Sequence, residues 1–198
     1  MKFAAIIIAG GFSKRFGSFK PVAEYNNKKF INSIVEKLDP VCEKIIIVTG
    51  FNNIYFEKYL QAEFLNNSKI KWSYNFEYEK GMISSILHGL KTLNVYGEKY
   101  CVFFQPVDIP HVNELTYKSL ADYAALNTNF EIIKPSYNFK GGHPVIFHNN
   151  IINNIISLIE NSPDFTLRDV LKNFKTSYFS TDDKAVIEDF DYPPPNFQ

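Results

Sequence analysis

Between residues 3 and 20 the chain reads FAAIIIAGGFSKRFGSFK, an apolar run that breaks at Gly10 and Gly11 and lands on Ser13, Arg15, Gly17 and Lys20. Glycines at such a break let backbone N–H groups come close to a ligand, and consecutive N–H groups in a turn form a concavity for anions. Arg15 offers a forked donor set to phosphate oxygens, and Lys20 a compact point charge. The spacing fits neither G-x-x-x-x-G-K-[ST] nor G-x-G-x-x-G, which excludes two common nucleotide loops. Taken alone, a turn with a solvated basic rim is the plainer reading.

Four later stretches carry further candidates. FFQPVDIP (103–110) sets Asp108 between Pro106 and Pro110 after an apolar run. A carboxylate stiffened at a strand's carboxyl end suits one or two inner-sphere bonds to Mg²⁺. In NFEYEKGMISSILHGL (75–90), a helix opening near Gly81 with Ser84 and Ser85 presents free N–H donors to a ligand, or is simply a capped helix. His143 in KGGHPVIF (140–147) is hemmed by Gly141, Gly142 and Pro144, which suggests a loop before a short strand rather than a general base. Arg168 in DFTLRDVL (164–171) is a substrate cation or a solvated helix charge. Nothing forms a Ser-His-Asp or Cys-His set.

The elements that must position these residues follow from hydrophobic periodicity. Runs at 3–8, 44–49, 70–74, 100–104 and 131–135 predict strands. Apolar spacings of three and four predict helices at 28–38, 55–65, 82–93, 114–126, 150–160 and 166–174. Unalternated runs such as AAIII and IIIV fit strands covered on both faces. Buried strands alternating with helices predict an α/β sandwich on a mostly parallel sheet, whose ligands sit outside the carboxyl ends of strands. The proline-rich end DYPPPNFQ predicts a partly unstructured tail from about 190.

With 198 residues the chain fits one domain, read as 1–198. Lys+Arg and Asp+Glu balance at 21 each, so an anion site must be local and no nucleic-acid partner is expected. Two distant cysteines, Cys42 and Cys101, without a CxxC, exclude a disulfide scaffold or zinc site and suit a cytoplasmic protein. The start MKFAAIII imitates a signal peptide, but the basic cluster after it opposes export. No segment approaches the ~20 apolar residues of a membrane span.

The ordered motifs resemble the MobA/MocA-like nucleotidyltransferases over nearly the whole chain. Ala9, Gly10, Gly11, Ser13, Arg15, Gly17 and Lys20 meet that family's opening signature, (A/L)-A-(A/G)-G-x-S-x-R-x-G-x-x-K, a triphosphate loop. NFEYEKGMISSILHGL is similar to its N-x(n)-G-M-x-x-S-(I/L)-x-x-G-L segment, which puts Asn75, Gly81 and Ser84 near the nucleotide. PVDIP resembles its magnesium-binding P-x-D-x-P, and GHPVIF its G-H-P-V-L-F, which implies a role at the acceptor site for His143 and, on the helix start after it, for Arg168. VIEDFDYPPPN (186–196) stands where relatives carry D-I-D-T-P-E-D, so Asp191 is implied as second metal ligand with Asp189 as alternative. Tyr192 replaces the threonine, and the terminal helix is expected to be missing.

The resemblance implies a three-layer α/β/α sandwich with a Rossmann-like sheet of the GT-A-like nucleotidyltransferase type. It further implies Mg²⁺-dependent transfer of a nucleotide from an NTP to a phosphate-bearing acceptor, with pyrophosphate released. CTP is favoured, with molybdopterin cofactor as acceptor and a molybdoenzyme or its chaperone as a partner. Gly11, more typical of the guanylyltransferase branch, leaves the base open. Sugar or alditol phosphates are alternative acceptors. A glycosyltransferase using a nucleotide-diphosphate sugar and a non-catalytic cofactor carrier are the rival classes.

Overall fold

The computed structural model describes residues 1–94, 97–162 and 164–193. Strand β1 (Phe3–Ile8) lies near the middle of the main sheet, and its side chains alternate between two cores. Phe3, Ala5 and Ile7 join one buried cluster, while Ala4, Ile6 and Ile8 join the other. This explains a run without polar residues: both faces of the strand are covered.

A hairpin of β2 (Glu24–Tyr25) and β3 (Lys28–Lys29) follows, turning at Asn26 and Asn27 with φ of 52° and 60°. Then come α1 (Phe30–Leu38), β4 (Lys44–Thr49), α2 (Asn53–Phe64) and β5 (Ile70–Tyr74). Helix α3 (Met82–Asn94) leads to β6 (Cys101–Pro106), α4 (Glu114–Leu126) and β7 (Ile132–Tyr137). Short strands β8 (Lys140–Gly141) and β9 (Val145–Phe147) precede α5 (Ile152–Asn161), α6 (Leu167–Leu171) and β10 (Thr176–Ser180).

The sheet order is β10-β7-β9-β6-β1-β4-β5, with β8 paired to β7. Among the described residues of this sheet only β8 and β9 run against their neighbours. Helices α1, α2 and α4 cover one face and α3, α5 and α6 the other, giving three layers. Helix α3 lies tightly on the sheet: a Cβ on Gly89 would stand 2.6 Å from Ile6 Cγ2. Cys42 and Cys101 are free and buried. Among the described residues no helix is long and apolar enough to cross a membrane.

The topology fixes where a ligand would go. From β1 the chain steps outward to β4 and β5, then returns to β6 on β1's other side. The carboxyl ends of β1 and β6 therefore flank the point where strand order reverses, which leaves a crevice in open α/β sheets.

Strands β10 and β2 lie outside the expected elements, and β3 takes the first two residues of the helix expected at 28–38, which begins instead at Phe30. β10 is an edge strand with half-exposed polar positions, so it has no apolar run to reveal it. The tail expected from about 190 is docked at its beginning: Phe190 packs on Phe30 and His111, and its N–H donates to the Asp108 carbonyl at 2.8 Å. Residues 194–198 of the expected tail lie outside the described residues.

Candidate active site

At that crevice the loop after β1 is fastened from below and left open above. Gly10 crosses Gly50 so closely that a Cβ on Gly50 would stand 2.6 Å from the Gly10 carbonyl oxygen. The Gly10 carbonyl accepts from the Phe51 N–H at 3.0 Å. Three aromatic side chains peg the rest of the loop. Phe12 packs on Phe51 and Tyr78, Phe16 on Phe30, and Phe19 on Phe56. The Ser13 hydroxyl accepts from the Lys20 N–H at 3.2 Å, so it braces the loop rather than standing free.

Above this frame, nothing lies within 4 Å of the position a Gly11 side chain would take. Among the described residues, the N–H groups of Gly11, Phe12 and Ser13 have no hydrogen-bond acceptor. Three adjacent free donors in a turn make an anion cradle. The cleft over them is walled by Ala9, Gly10, Pro21, Met82, Ser85 and Val107, among others.

The charged groups meet on one side of the cleft. Lys20 begins a 3-10 turn (Lys20–Val22) and its side chain is only 10% exposed. Its Nζ lies 3.5 Å from Asp108 Oδ2 and 3.7 Å from Asp191 Oδ1. Arg15, 65% exposed, reaches Asp191 Oδ2 at 2.9 Å. Burial raises the Asp108 carboxyl above the ordinary carboxylate range, against the lowering effect of Lys20, and Asp189 adds to the rise. Asp189 itself is exposed, whereas Asp191 turns inward to both cations.

The turn that carries Asp108 is held by Gln105, a residue that no motif or spacing singles out. Fully buried, Gln105 donates from Nε2 to the carbonyls of Pro106 at 2.8 Å and Ile109 at 3.1 Å. Its Oε1 accepts from the Tyr117 hydroxyl at 2.9 Å.

Asn75 and Ser84, expected near a nucleotide, lie one layer behind the cleft. Asn75 is 2% exposed, and its Nδ2 donates to the hydroxyls of Ser84 and Ser85 at 3.0 Å each. Ser84 in turn donates to the carbonyls of Gly81 and Glu77. These side chains tie the turn before α3 to the helix, while Gly81 (φ +87°) and Ser85 line the cleft.

His143 and Arg168 lie apart, in a second cleft on the α6 face. Among the described residues the buried His143 Nδ1 has no hydrogen-bond partner, and its ring meets Phe104 edge-on. Burial lowers its pKa to about 4, helped by Lys134, so the imidazole is neutral near pH 7. That removes it as a cation and weakens any acid-base role.

Among the described residues no three His, Cys, Asp or Glu cluster as a ready metal cage. The candidate is the pair Asp108 and Asp191, whose oxygens already converge on one positive charge, that of Lys20. An oxygen-only donor pair with room for water and phosphate suits a hard dication, so the residues fit magnesium.

Comparison with known proteins gives the family and the fold. Residues 5–178 match the model of the MobA-like NTP transferase domain. A probable molybdenum cofactor guanylyltransferase from Geobacillus sp. (strain WCH70) is 29% identical over 134 residues, 67% of this chain and 62% of that protein. The chain thus spans about three fifths of that relative's length. The molybdenum cofactor cytidylyltransferase of Escherichia coli (strain K12) is 25% identical, covering 71% of this chain and 67% of its own. The crystal structure of Rv0371c from Mycobacterium tuberculosis H37Rv superposes with a TM-score of 0.74 at 17% identity, over 97% of this chain and 94% of that one. A second crystal structure of that mycobacterial protein is a complex with manganese (TM-score 0.63, 12% identity, covering 91% of this chain and 89% of that one). The family match runs from within β1 into β10, and the chain belongs to the MobA-like NTP transferase domain family.

Proposed function

We propose that the protein is a nucleotidyltransferase that moves a nucleotide from an NTP to a phosphate-bearing acceptor of the molybdopterin type. One observation carries this reading: three free backbone N–H groups, two cations and two carboxylates converge at the sheet's switch point. The N–H groups of Gly11 to Ser13 would hold the triphosphate, with Arg15 and Lys20 matching its charge. Asp108 and Asp191 would hold Mg²⁺, which when bound neutralises charge on the α-phosphate. The chain's part is positioning and electrostatics, and that is where phosphoryl-type transfers draw their acceleration. An acceptor phosphate monoester is largely ionised at neutral pH, with a second pKa of about 6, so a general base is not required. The neutral His143 is consistent with that economy.

CTP and GTP are the two nucleotides in contention. The motif resemblance leans to CTP, whereas the relatives include proteins named for each base and more named guanylyltransferase. The test is pyrophosphate release by purified protein from CTP, GTP, ATP and UTP with Mg²⁺, with and without molybdopterin or sugar phosphates. Release with one NTP that needs a phosphate acceptor is expected. Tight NTP binding without turnover on any acceptor would favour a non-catalytic carrier instead.

A further inference from the structure

One stripe of helix α1 touches each of the three segments that carry the charged groups of the site. Phe30, Ser33 and Lys37 stand at i, i+3 and i+7, so their side chains leave the helix on one face. The Phe30 ring meets Phe16 of the glycine loop edge-on at 5.7 Å, and it stacks at 5.3 Å on Phe190, the neighbour of Asp191. Ser33 Oγ donates to the Pro110 carbonyl at 2.8 Å, and Lys37 Nζ donates to the same oxygen at 2.7 Å. Pro110 lies two residues beyond Asp108, in the same turn.

The Lys37 contact is more than the fold requires. The Pro110 oxygen already accepts from Ser33, so without Lys37 it would not be orphaned. Among the described residues Lys37 has no carboxylate within ion-pair reach, and its half-buried ammonium rests on a neutral oxygen. Burial lowers its pKa to about 8, and the charge of Lys28 pushes the same way, against Asp183, Glu36 and Glu114. Lys28 is paired with Glu36, and Asp183 accepts from the Asn113 N–H and the Thr116 hydroxyl. His111, next after Pro110, has its own pKa lowered by burial and by Lys37, against Glu188 and Asp183. An apolar residue at 37 would spare the helix a partly desolvated charge. What the charge supplies is a firm hold, because a hydrogen bond from an ionised donor is roughly twice as strong as a neutral one. From the other side Gln105 grips the carbonyls of Pro106 and Ile109. The Asp108 turn is thus clamped at three carbonyls.

From this geometry we infer that α1 is the common buttress of the site, with Ser33 and Lys37 as positioning residues that set Asp108 through the Pro110 carbonyl. Neither acts on a substrate directly. The aim of the Asp108 carboxylate follows the backbone of its turn, and a misplacement of about 1 Å can lower a rate about 10²-fold. Phe30, on the same stripe, ties the glycine loop and the Asp191 segment to the same helix. The effect on turnover rests on the proposed nucleotidyl transfer. The clamp on the turn does not.

Pyrophosphate release from NTP with Mg²⁺ is measured for Ser33→Ala, Lys37→Met, Lys37→Arg and the double variant Ser33→Ala/Lys37→Met, beside melting and ¹⁵N NMR of the free protein. Ser33→Ala and Lys37→Met are each expected to lower kcat about tenfold with NTP KM within about twofold, and the double variant about 10²-fold. The folded pKa of Lys37 lies below its ordinary 10.5, so its charge weighs against the fold below about pH 8, and that weight lifts as pH rises toward 10.5. Lys37→Met should therefore melt no lower than wild type at pH 7 while turning over more slowly. Wild-type kcat should fall as pH rises through about 8, and the amides of Asp108, Ile109 and His111 should shift in the same window. Lys37→Arg keeps its proton and should show neither change. His111, lowered from 6.5, titrates outside that window. Unchanged kcat in the double variant, or melting lost in step with kcat, would overturn the positioning role. If wild type turns over no NTP, the nucleotidyl reading fails and the amide titration alone decides the clamp. Its absence from wild type, or its persistence in Lys37→Met, would overturn the clamp as well.

Discussion

Asp108 is pulled in two directions, since burial raises its carboxyl pKa while Lys20 lowers it and burial wins. A folded-state pKa above the unfolded value means the ionised carboxylate costs stability at neutral pH. Asp108→Asn is therefore expected to melt at or above wild type without ligands, while pyrophosphate release drops about 10²-fold or more. A variant that melts higher and turns over normally would remove Asp108 from the chemistry. His143 carries the opposite kind of signature. Its pKa of about 4 lies below the ordinary histidine value of 6.5, so its contribution is whole above pH 6.5 and is lost as pH falls toward 4. Chemical denaturation across that window should show up to about 3 kcal/mol lost in wild type and retained in His143→Phe. His88 and His111 are also lowered by burial and add to the wild-type slope, so the difference between the two proteins isolates His143.

At the scale of elements, the turn at Lys184–Ile187 delivers Asp191, and Gly142 lets that turn come in. A Cβ on Gly142 would stand 2.0 Å from the Val186 carbonyl oxygen, and backbone on both sides cannot give way cheaply. Gly142→Ala should push the turn outward and lower kcat by about 10²-fold through misplacement, more than its effect on melting would suggest. Unchanged kcat would mean that Asp191 reaches its place by another route. Much at this scale was legible beforehand. The long helices and buried strands followed from their periodicity, within a residue or two at the ends. Three things were hidden for physical reasons. The β2–β3 hairpin is too short to show alternation, though Asn26-Asn27 was its signal. The tie that Asn75 makes to Ser84 and Ser85 was hidden, because spacing cannot tell a side chain facing a cleft from one tying a turn. The pegs Phe12, Phe16 and Phe19 were invisible, because their partners Phe51, Tyr78, Phe30 and Phe56 come from elsewhere in the chain.

For the whole molecule, the class of fold was readable from alternating strands and helices, but the strand order was not. Nothing local says that β6 returns to β1's free side, and that return is what sets Asp108 against the glycine loop. Among the described residues the cations of the site, Arg15 and Lys20, are engaged by its own carboxylates, Asp191 and Asp108. Each half therefore occupies the other's binding capacity. A polyphosphate that draws off the cations leaves the carboxylates short of positive charge, and a dication that takes the carboxylates leaves the cations short of negative charge. Linkage then requires the two ligands to help each other by one common factor, typically about 5–150-fold. NTP affinity, measured by calorimetry at stepped Mg²⁺ concentrations and corrected for Mg–NTP complexation, should rise with the metal, and Arg15→Gln should blunt the rise. The charges of the cleft would then form a closed circuit, opened only when both guests arrive.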